Sequence, residues 1–335
     1  MAEELMSQKG MGMHHKNLLK RILNMKEMGV ILPTLLFVIV IQCINPVFLS
    51  WDNIVNVLRA TGFTLITALG MTLVLVSGGL DLSIGSVLAV GSTLCGVGLT
   101  AGLPIPISLV VGIVSGLLLG MVNGLIIVHF KIPPLIMTLG MLYMARGIVY
   151  IITQGTPIYP LPKAFQAIEQ EISLGIPNVV YISLILALVL SFILKNTVFG
   201  RKVYAIGGNT EAARLSGINI GRTYVSIYAL TGALAALTGV IQASRLGSAQ
   251  PSAGTGYELT VIAAVIIGGT STYGGVGTIL GTTVGALFMN ILTNSMMLMR
   301  VSAFWQNLVI GFILILAVII DQLNRERKFK STLKN

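Results

Sequence analysis

The sequence predicts an all-α polytopic membrane protein with about ten transmembrane helices, and three observations support this prediction. The chain has 335 residues, of which 55% are apolar and only 10% are Asp, Glu, Lys or Arg, whereas a soluble protein has about 25% charged residues. Its mean hydropathy is +0.91. Long stretches without any charge follow one another along the chain. These properties exclude a soluble enzyme, a disordered chain and a coiled coil.

Each charge-free stretch gives the position of one helix or two. A helix needs about 20 mostly apolar residues to cross about 30 Å of hydrocarbon, because the bilayer offers no hydrogen-bond partners to bare backbone groups. The stretch 259–268 is too short to cross by itself and predicts a half-helix or a re-entrant element. Single helices are predicted over 28–51, 60–80, 132–155 (interrupted only by Arg146), 172–194, 223–244 and 301–320, and pairs of helices over 82–130 and 259–299.

The distribution of Lys and Arg predicts that both termini are cytoplasmic. With ten helices and the N-terminus inside, 16 of the 21 Lys and Arg residues lie in cytoplasmic segments and four in outer loops, as the positive-inside rule requires. Membrane orientation therefore explains the net charge of +10 without nucleic-acid binding. The prediction divides the chain into a basic cytoplasmic N-terminal tail (1–27), a single transmembrane domain (28–321) and a cytoplasmic C-terminal tail (322–335).

The largest outer loop, 156–177, contains four prolines and two glutamates. Residues 163–170 within it are predicted to form a short surface helix. For each charge in this loop, a solvated connector is at least as good an interpretation. Docking of a soluble partner is a weaker hypothesis, because it rests only on the length of the loop.

Glycine spacing predicts an internal pseudo-repeat. Both segments join an inward helix to an outward one in the predicted topology, so the copies would be parallel and related by an axis along the membrane normal. Chance matching is the alternative, since glycine is common in membrane helices. The residues are Gly78, Gly79, Gly85 and Gly91 in the first segment and Gly268, Gly269, Gly275 and Gly281 in the second, each pair separated by 190 positions.

The motifs of the common enzyme classes do not occur in the sequence. No HExxH, CxxC or GxSxG occurs, and no Walker A lysine follows a glycine loop, so no catalytic residue is predicted. Cys43 and Cys95 both lie in apolar runs, which gives no support to a disulfide or a metal site.

Two charged residues are predicted to lie at membrane depth. Asp81 stands between two long apolar stretches, where an ionisable group is by default a functional candidate. The favoured interpretation is that it caps the following helix by accepting from the N–H of Ser83 or Ile84; direct substrate contact is the alternative. Arg146 is expected to pair with a carboxylate or with helix-end carbonyls.

The inner loop 198–222 is predicted to contain a short capped helix. Asn209 or Thr210 suits its N-cap, Glu211 suits the positive end of the helix dipole, and Gly217 suits its end. Such a helix fits a groove on a partner. A solvated loop would explain the Lys and Arg residues but not the capped acidic start.

Three motifs together make the chain resemble the ribose-type permeases of bacterial ABC importers. They are GGLDLSIGS at 78–86, GRKVYAIGGNTEAARLSGI at 200–218 and IGGTSTYGGVGT at 267–278, and the resemblance extends over about residues 25–325. It implies import of a monosaccharide such as ribose across the bacterial inner membrane. It also implies a second permease subunit, as a copy or a homologue, an ABC ATPase that binds ATP and Mg, and a periplasmic sugar-binding protein. No cofactor is expected in this chain.

The resemblance also implies roles for individual residues. Glu211, Ala212, Ala213, Arg214 and Gly217 would form the coupling helix that sits in a cleft of the ATPase, so 198–222 would be a coupling loop and 156–177 a periplasmic loop. Gly78, Gly79, Gly268 and Gly269 would shape turns beside the translocation path. Further candidates for the path are Asp81, Ser83, Ser86, Asn123, Thr138, Asn290 and Asn294, and interhelical hydrogen bonding explains each polar one equally well.

An ion-coupled secondary transporter of a small neutral solute is the rival interpretation. It would be expected to place several carboxylates or histidines in the membrane as relay groups. Only Asp81 and Glu258 stand close enough to apolar stretches to serve in this way, so the ABC importer is favoured.

Overall fold

The computed structural model describes residues 28–170, 172–173 and 175–332, and this part of the chain forms thirteen α-helices and one two-stranded hairpin. The predicted N-terminal tail, 1–27, lies outside the described residues. The helices are α1 (Met28–Ile44), α2 (Trp51–Val76), α3 (Ile84–Thr100), α4 (Ile105–Phe130), α5 (Pro134–Thr153), α6 (Lys163–Gln170), α7 (Asn178–Asn196), α8 (Val198–Gly208), α9 (Thr210–Leu215), α10 (Ile220–Leu246), α11 (Tyr257–Ile267), α12 (Ile279–Leu298) and α13 (Ala303–Thr332); the strands are β1 (Ile172–Ser173) and β2 (Ile176–Pro177).

The helices confirm a polytopic membrane protein. Within the described residues, seven helices are long and apolar enough to span a bilayer: α2, α4, α5, α7, α10, α12 and α13. Three more apolar helices, α1, α3 and α11, are shorter. Helix α11 has 11 residues, about 16 Å at 1.5 Å per residue, or half of a bilayer core. The short apolar stretch at 259–268 therefore forms a half-length helix.

Helix α2 forms the centre of the core. Its residues from Thr61 to Val76 are buried, and α7, α10, α11 and α12 all pack against it. By contrast, α13 exposes large apolar side chains such as Phe304, Leu308 and Phe312. Exposed apolar side chains on outer helices are what a lipid environment favours.

The N-terminal end of α2 corrects one predicted boundary. The charge-free stretch predicted a helix from 60 and placed Arg59 in an outer loop, but α2 begins at Trp51 and contains both Asp52 and Arg59. Arg59 is accommodated inside the helix because it pairs with Glu169 of α6, with 3.0 Å between Nε and Oε1. The ion pair with Glu169 thus allows α2 to continue past Arg59.

The outer loop 156–177 is folded against the helices. Helix α6 spans Lys163–Gln170, as predicted, and it buries Phe165 and Glu169. The Ser244 hydroxyl of α10 donates to the Phe165 carbonyl at 2.7 Å and accepts from the Glu169 N–H at 3.2 Å. A bridge between Ile158 and Ala249 holds a second point of the loop. The alternative of a solvated connector is therefore wrong for Glu169, whereas Lys163 is exposed as that alternative expects.

The helix contacts relate the two halves of the chain in a way that the glycine spacing did not predict. Helices α2 and α10 are antiparallel, because contacts at Gly70 and Ser77 of α2 are made by Thr231 and Tyr224 of α10, in reverse order. Helix α2 packs on α12 of the second half of the chain, while α10 packs on α4 of the first half. The contacts thus make α2 and α10 antiparallel partners, whereas the predicted repeat relates α2–α3 to α11–α12, and its parallel sense stays a prediction.

Glycines that are separated by 190 positions in the sequence lie in different environments in the structure. Gly85 is helical in α3, whereas Gly275 lies in a loop with φ +74°. Gly91 faces Ala236 of α10, but Gly281 faces Gly268 of α11. Close helix approach selects glycine at many places in a bundle, so shared spacing alone did not identify equivalent positions.

Candidate functional site

The loop between α7 and α10 is built from two helices, α8 and α9. The Thr197 hydroxyl accepts from the Gly200 N–H at 3.3 Å at the start of α8. The Asn209 side chain accepts from the Ala212 N–H at 2.9 Å at the start of α9. Gly217, with φ +80°, ends α9. Asn209 is therefore the N-cap and the segment forms the short helix that the sequence predicts.

Helix α9 has one buried and one exposed face. Ala213 is buried against the bundle, whereas Glu211, Ala212, Arg214 and Gly217 are exposed. Arg214 and Glu211 form an ion pair on the exposed face, and the hydrogen bond and charge of Arg214 hold the pKa of Glu211 below its usual range. The exposed face thus presents a fixed pair of opposite charges.

Leu215 at the end of α9 was not predicted as a site residue. Its side chain is 87% exposed, on a face otherwise made of polar and small residues. An exposed leucine beside an ion pair has the composition of an anchor for a partner. The sequence signal was available, because Leu215 is the only large apolar residue in the stretch from Thr210 to Leu215.

Asp81 holds the turn just before α3, whose N-cap residue is Ser83. Its carboxylate Oδ1 accepts from the Ser83 N–H at 2.8 Å and from the Ser83 hydroxyl at 2.6 Å. The Asn123 amide of α4 donates to the Ser83 hydroxyl at 3.0 Å. Asp81 is 1% exposed, so the buried charge lies beside the N-terminus of a helix, where a negative group is stabilised. The bond from the Ser83 N–H is the one that the sequence predicted for a cap.

The other polar candidates lie between helices. The Asn290 amide of α12 donates to the Thr64 hydroxyl of α2 at 3.0 Å. Asn294 and Asn53 exchange side-chain hydrogen bonds at 2.9 and 3.0 Å across the same interface. Ser86 and Thr138 are also buried. These contacts are those of interhelical hydrogen bonding, and a role beside a translocation path stays a prediction for these residues.

The four glycines predicted to shape turns occur in two similar helix ends. Gly78 and Gly79 donate to the carbonyls of Leu75 and Val74 at the end of α2, each at 2.9 Å. At the end of α11, Gly268 donates to Ala264 and Gly269 to Ile266 at 3.0 and 2.8 Å. Gly78 and Gly269 have φ of +82° and +86°, which favours glycine.

Arg146 of α5 binds backbone carbonyls rather than a carboxylate. Its guanidinium donates to the Pro251 and Ala253 carbonyls, each at 2.8 Å. These carbonyls belong to the loop between α10 and α11, so Arg146 fixes that loop against α5. The sequence predicted a carboxylate or helix-end carbonyls as partners, and the structure has loop carbonyls instead.

Comparison with known proteins identifies the family. A family described as the permease component of branched-chain amino acid transport systems matches residues 53–318. The ribose import permease protein RbsC of Bacillus subtilis is 43% identical over 301 residues, covering 89% of this chain and 93% of the relative. RbsC of Escherichia coli K12 is 38% identical, with coverages of 88% and 93%.

The similarity extends to permeases for a second pentose. The xylose transport system permease protein XylH of Escherichia coli K12 is 37% identical, covering 84% of this chain and 87% of the relative. No solved structure matches the chain. Both kinds of relative are permease components and span nearly the whole described helical bundle. The chain therefore belongs to the ribose-type permease family of ABC importers, and it is a membrane transport subunit and not an enzyme.

Proposed function

We propose that this chain is the permease through which a bacterial ABC importer carries a pentose, with ribose as the first candidate and xylose as the second, across the inner membrane. The observation that carries the proposal is the similarity to ribose import permeases along almost the full length of both chains. The scarcity of charge at membrane depth agrees with it, since a neutral sugar needs hydroxyl partners but no fixed counter-charge.

Helix α9 is the coupling helix in this proposal. It is exposed, capped at its start by Asn209 and tied to the bundle through buried Ala213. Glu211, Arg214 and Leu215 would contact a cleft of the ATPase subunit, which binds ATP and Mg and performs the hydrolysis. The sugar would be delivered by a periplasmic binding protein at the opposite end of the bundle, where α6 lies.

The proposed mechanism is alternating access. Closure of the ATPase domains moves α9, and groups of packed helices rock as rigid bodies to open a path to either side of the membrane. The functional assembly would contain two permease subunits, most simply two copies of this chain. All ten apolar helices would lie within the bilayer, with both termini and α9 cytoplasmic and the loop 156–177 periplasmic.

Affinity purification combined with uptake tests this proposal. The tagged chain is purified in mild detergent from its native membranes, and an ABC ATPase is expected to accompany it. Cells that lack the chain should lose uptake of radiolabelled ribose, and the wild-type copy should restore it. Recovery of the chain alone, together with uptake that depends on a proton gradient and not on ATP, would instead establish an ion-coupled transporter.

A further inference from the structure

The three sequence motifs of this chain meet at one point, Gly207 near the end of α8. Val76 is the last residue of α2. A Cβ atom on Gly207 would lie 1.8 Å from the carbonyl oxygen of Val76 and 2.6 Å from the nitrogen of Gly275. Both distances are shorter than any real Cβ contact. The backbone of α8 therefore lies directly against two turns that are far from it in the sequence.

The two turns are also bonded to each other at this point. The Gly275 N–H donates to the Val76 carbonyl at 2.8 Å. Gly274 is equally restricted, because a Cβ on it would lie 2.8 Å from the Gly207 carbonyl oxygen and 3.0 Å from the Gly78 Cα. We call this contact of Val76, Gly78, Gly207, Gly274 and Gly275 the glycine junction.

Two tyrosines hold the surroundings of the glycine junction. The Tyr204 hydroxyl, one turn before Gly207 in α8, donates to the Gly277 carbonyl at 2.7 Å. The Tyr224 hydroxyl of α10 donates to the Ser77 carbonyl at 2.9 Å. The inner side of the turn at 274–277 is thus bonded to α8, and the end of α2 is bonded to α10.

The outer side of the same turn is held by α13. Asp321 Oδ2 accepts from the Thr272 N–H at 3.0 Å and from the hydroxyls of Ser271 and Thr272 at 3.1 and 3.0 Å. The Arg325 guanidinium lies 4.1 Å from the centre of the Tyr273 ring, within the range of a cation–π contact. The turn is consequently fixed on both sides.

We infer that Gly207 is a positioning residue through which movement of α9 reaches α2 and α11–α12. Only Asn209 and Gly208 separate Gly207 from α9, so displacement of α9 displaces α8 with it. Because backbone atoms meet without intervening side chains, the contact has no rotamers that absorb the displacement. The end of α2 and the turn between α11 and α12 therefore move together with α8. The inference rests on the proposed role of α9 in contacting an ATPase.

The experiment compares Gly207→Ala with Gly208→Ala in the purified assembly with its ATPase subunit. Gly208 is the adjacent residue of the same helix, and a Cβ on it would meet nothing within 4 Å. Three quantities are measured: recovery of the ATPase subunit, ATP hydrolysis with and without sugar-loaded binding protein, and uptake of radiolabelled ribose into proteoliposomes.

Gly207→Ala is expected to retain the ATPase subunit and basal hydrolysis but to lower ribose uptake by about tenfold or more, within the range of typical coupling interactions. Stimulation of hydrolysis by the binding protein should be lost as well. Gly208→Ala should keep uptake and stimulation close to wild type. Equal uptake in the two variants would overturn the inference. Failure of the wild-type chain to recover any ATPase would instead contradict the proposed function.

A second variant covers the case in which Gly207→Ala does not fold. Tyr204→Phe adds no atom at the backbone contact but removes the hydrogen bond that holds the turn at 277 against α8, so the turn can separate from Gly207 when α8 moves. Stimulation by the binding protein is expected to fall by about threefold or more, as for loss of one hydrogen bond, while size-exclusion chromatography shows an intact assembly. Unchanged stimulation in Tyr204→Phe would overturn the inference in that case.

Discussion

Arg59 of α2 and Glu169 of α6 form an ion pair with 3.0 Å between Nε and Oε1, in a site where the two side chains are 16% and 1% exposed. Burial raises the pKa of Glu169, and the charges of Arg59 and Arg245 act against this change. Desolvation of the buried carboxylate thus acts against its attraction to the two guanidinium groups. The pair therefore contributes more to fixing the position of α6 than to the stability of the fold.

Removing one member of this pair is expected to be costly. Glu169→Ala strands the Arg59 charge and should lower the free energy of unfolding by about 3–5 kcal/mol, measured by thermal unfolding in detergent. Lys163→Ala, at the exposed start of the same helix, is the control and should have little effect. The double variant Arg59→Met with Glu169→Met should lose less than Glu169→Ala. Equal stability of Glu169→Ala and Lys163→Ala would contradict the role of the pair.

Charge reversal on α9 is expected to abolish transport without loss of the protein from the membrane. Glu211→Lys replaces an attractive contact with Arg214 by a repulsive one on the exposed face of α9. Ribose uptake by intact cells and the amount of protein in the membrane fraction are measured together. Glu211→Gln, which removes the charge without reversing it, is the matched comparison and should retain more uptake. Normal uptake in Glu211→Lys would contradict a coupling role for α9.

Leu215 is expected to anchor the partner of α9. Burying a leucine side chain contributes about 1.5–3 kcal/mol, so Leu215→Asp should lower recovery of the ATPase subunit in affinity purification. Ser216→Ala alters the adjacent exposed residue and serves as the control. If both variants recover the ATPase as well as the wild type does, Leu215 lies outside the interface.

Substitutions of Asp81 distinguish a capping role of its carboxylate from a role as a relay group for ions. Asp81→Asn keeps an oxygen that accepts from the Ser83 N–H and hydroxyl, so uptake should remain within about twofold of the wild type. Asp81→Ala loses the acceptor and should lower stability by about 0.5–2 kcal/mol, the usual contribution of a cap. Complete loss of uptake in Asp81→Asn, with normal stability, would favour an ion-coupled mechanism.

Thiol labelling tests the proposed orientation. A single cysteine at Thr156 should react with an impermeant maleimide added to spheroplasts, and one at Thr210 should react only after the membrane is opened. Cys43 is exposed and is first replaced by Ser. The reverse labelling pattern would invert the proposed topology.

Local features of this fold were predictable because their causes are local. The α6 and α9 helices and the Asp81 cap each follow from a few neighbouring residues. The start of α2 was not predictable from charge-free length, since Arg59 is tolerated only because Glu169 reaches it from another part of the chain. The glycine junction was missed for the same reason: each motif was recognised, but the sequence does not tell which backbones meet.

The interface of α4 and α10 has a consequence for how the chain is made. A Cβ on Gly116 would lie 2.3 Å from the Gly232 carbonyl oxygen, and one on Gly120 would lie 2.1 Å from that of Tyr228. During synthesis α4 enters the membrane long before α10 leaves the ribosome, so its glycine face first meets lipid. The packing of α4 on α10 can therefore form only after the second half of the chain has entered the bilayer, whereas the contacts of α3 with α4 and α5 need the first half alone.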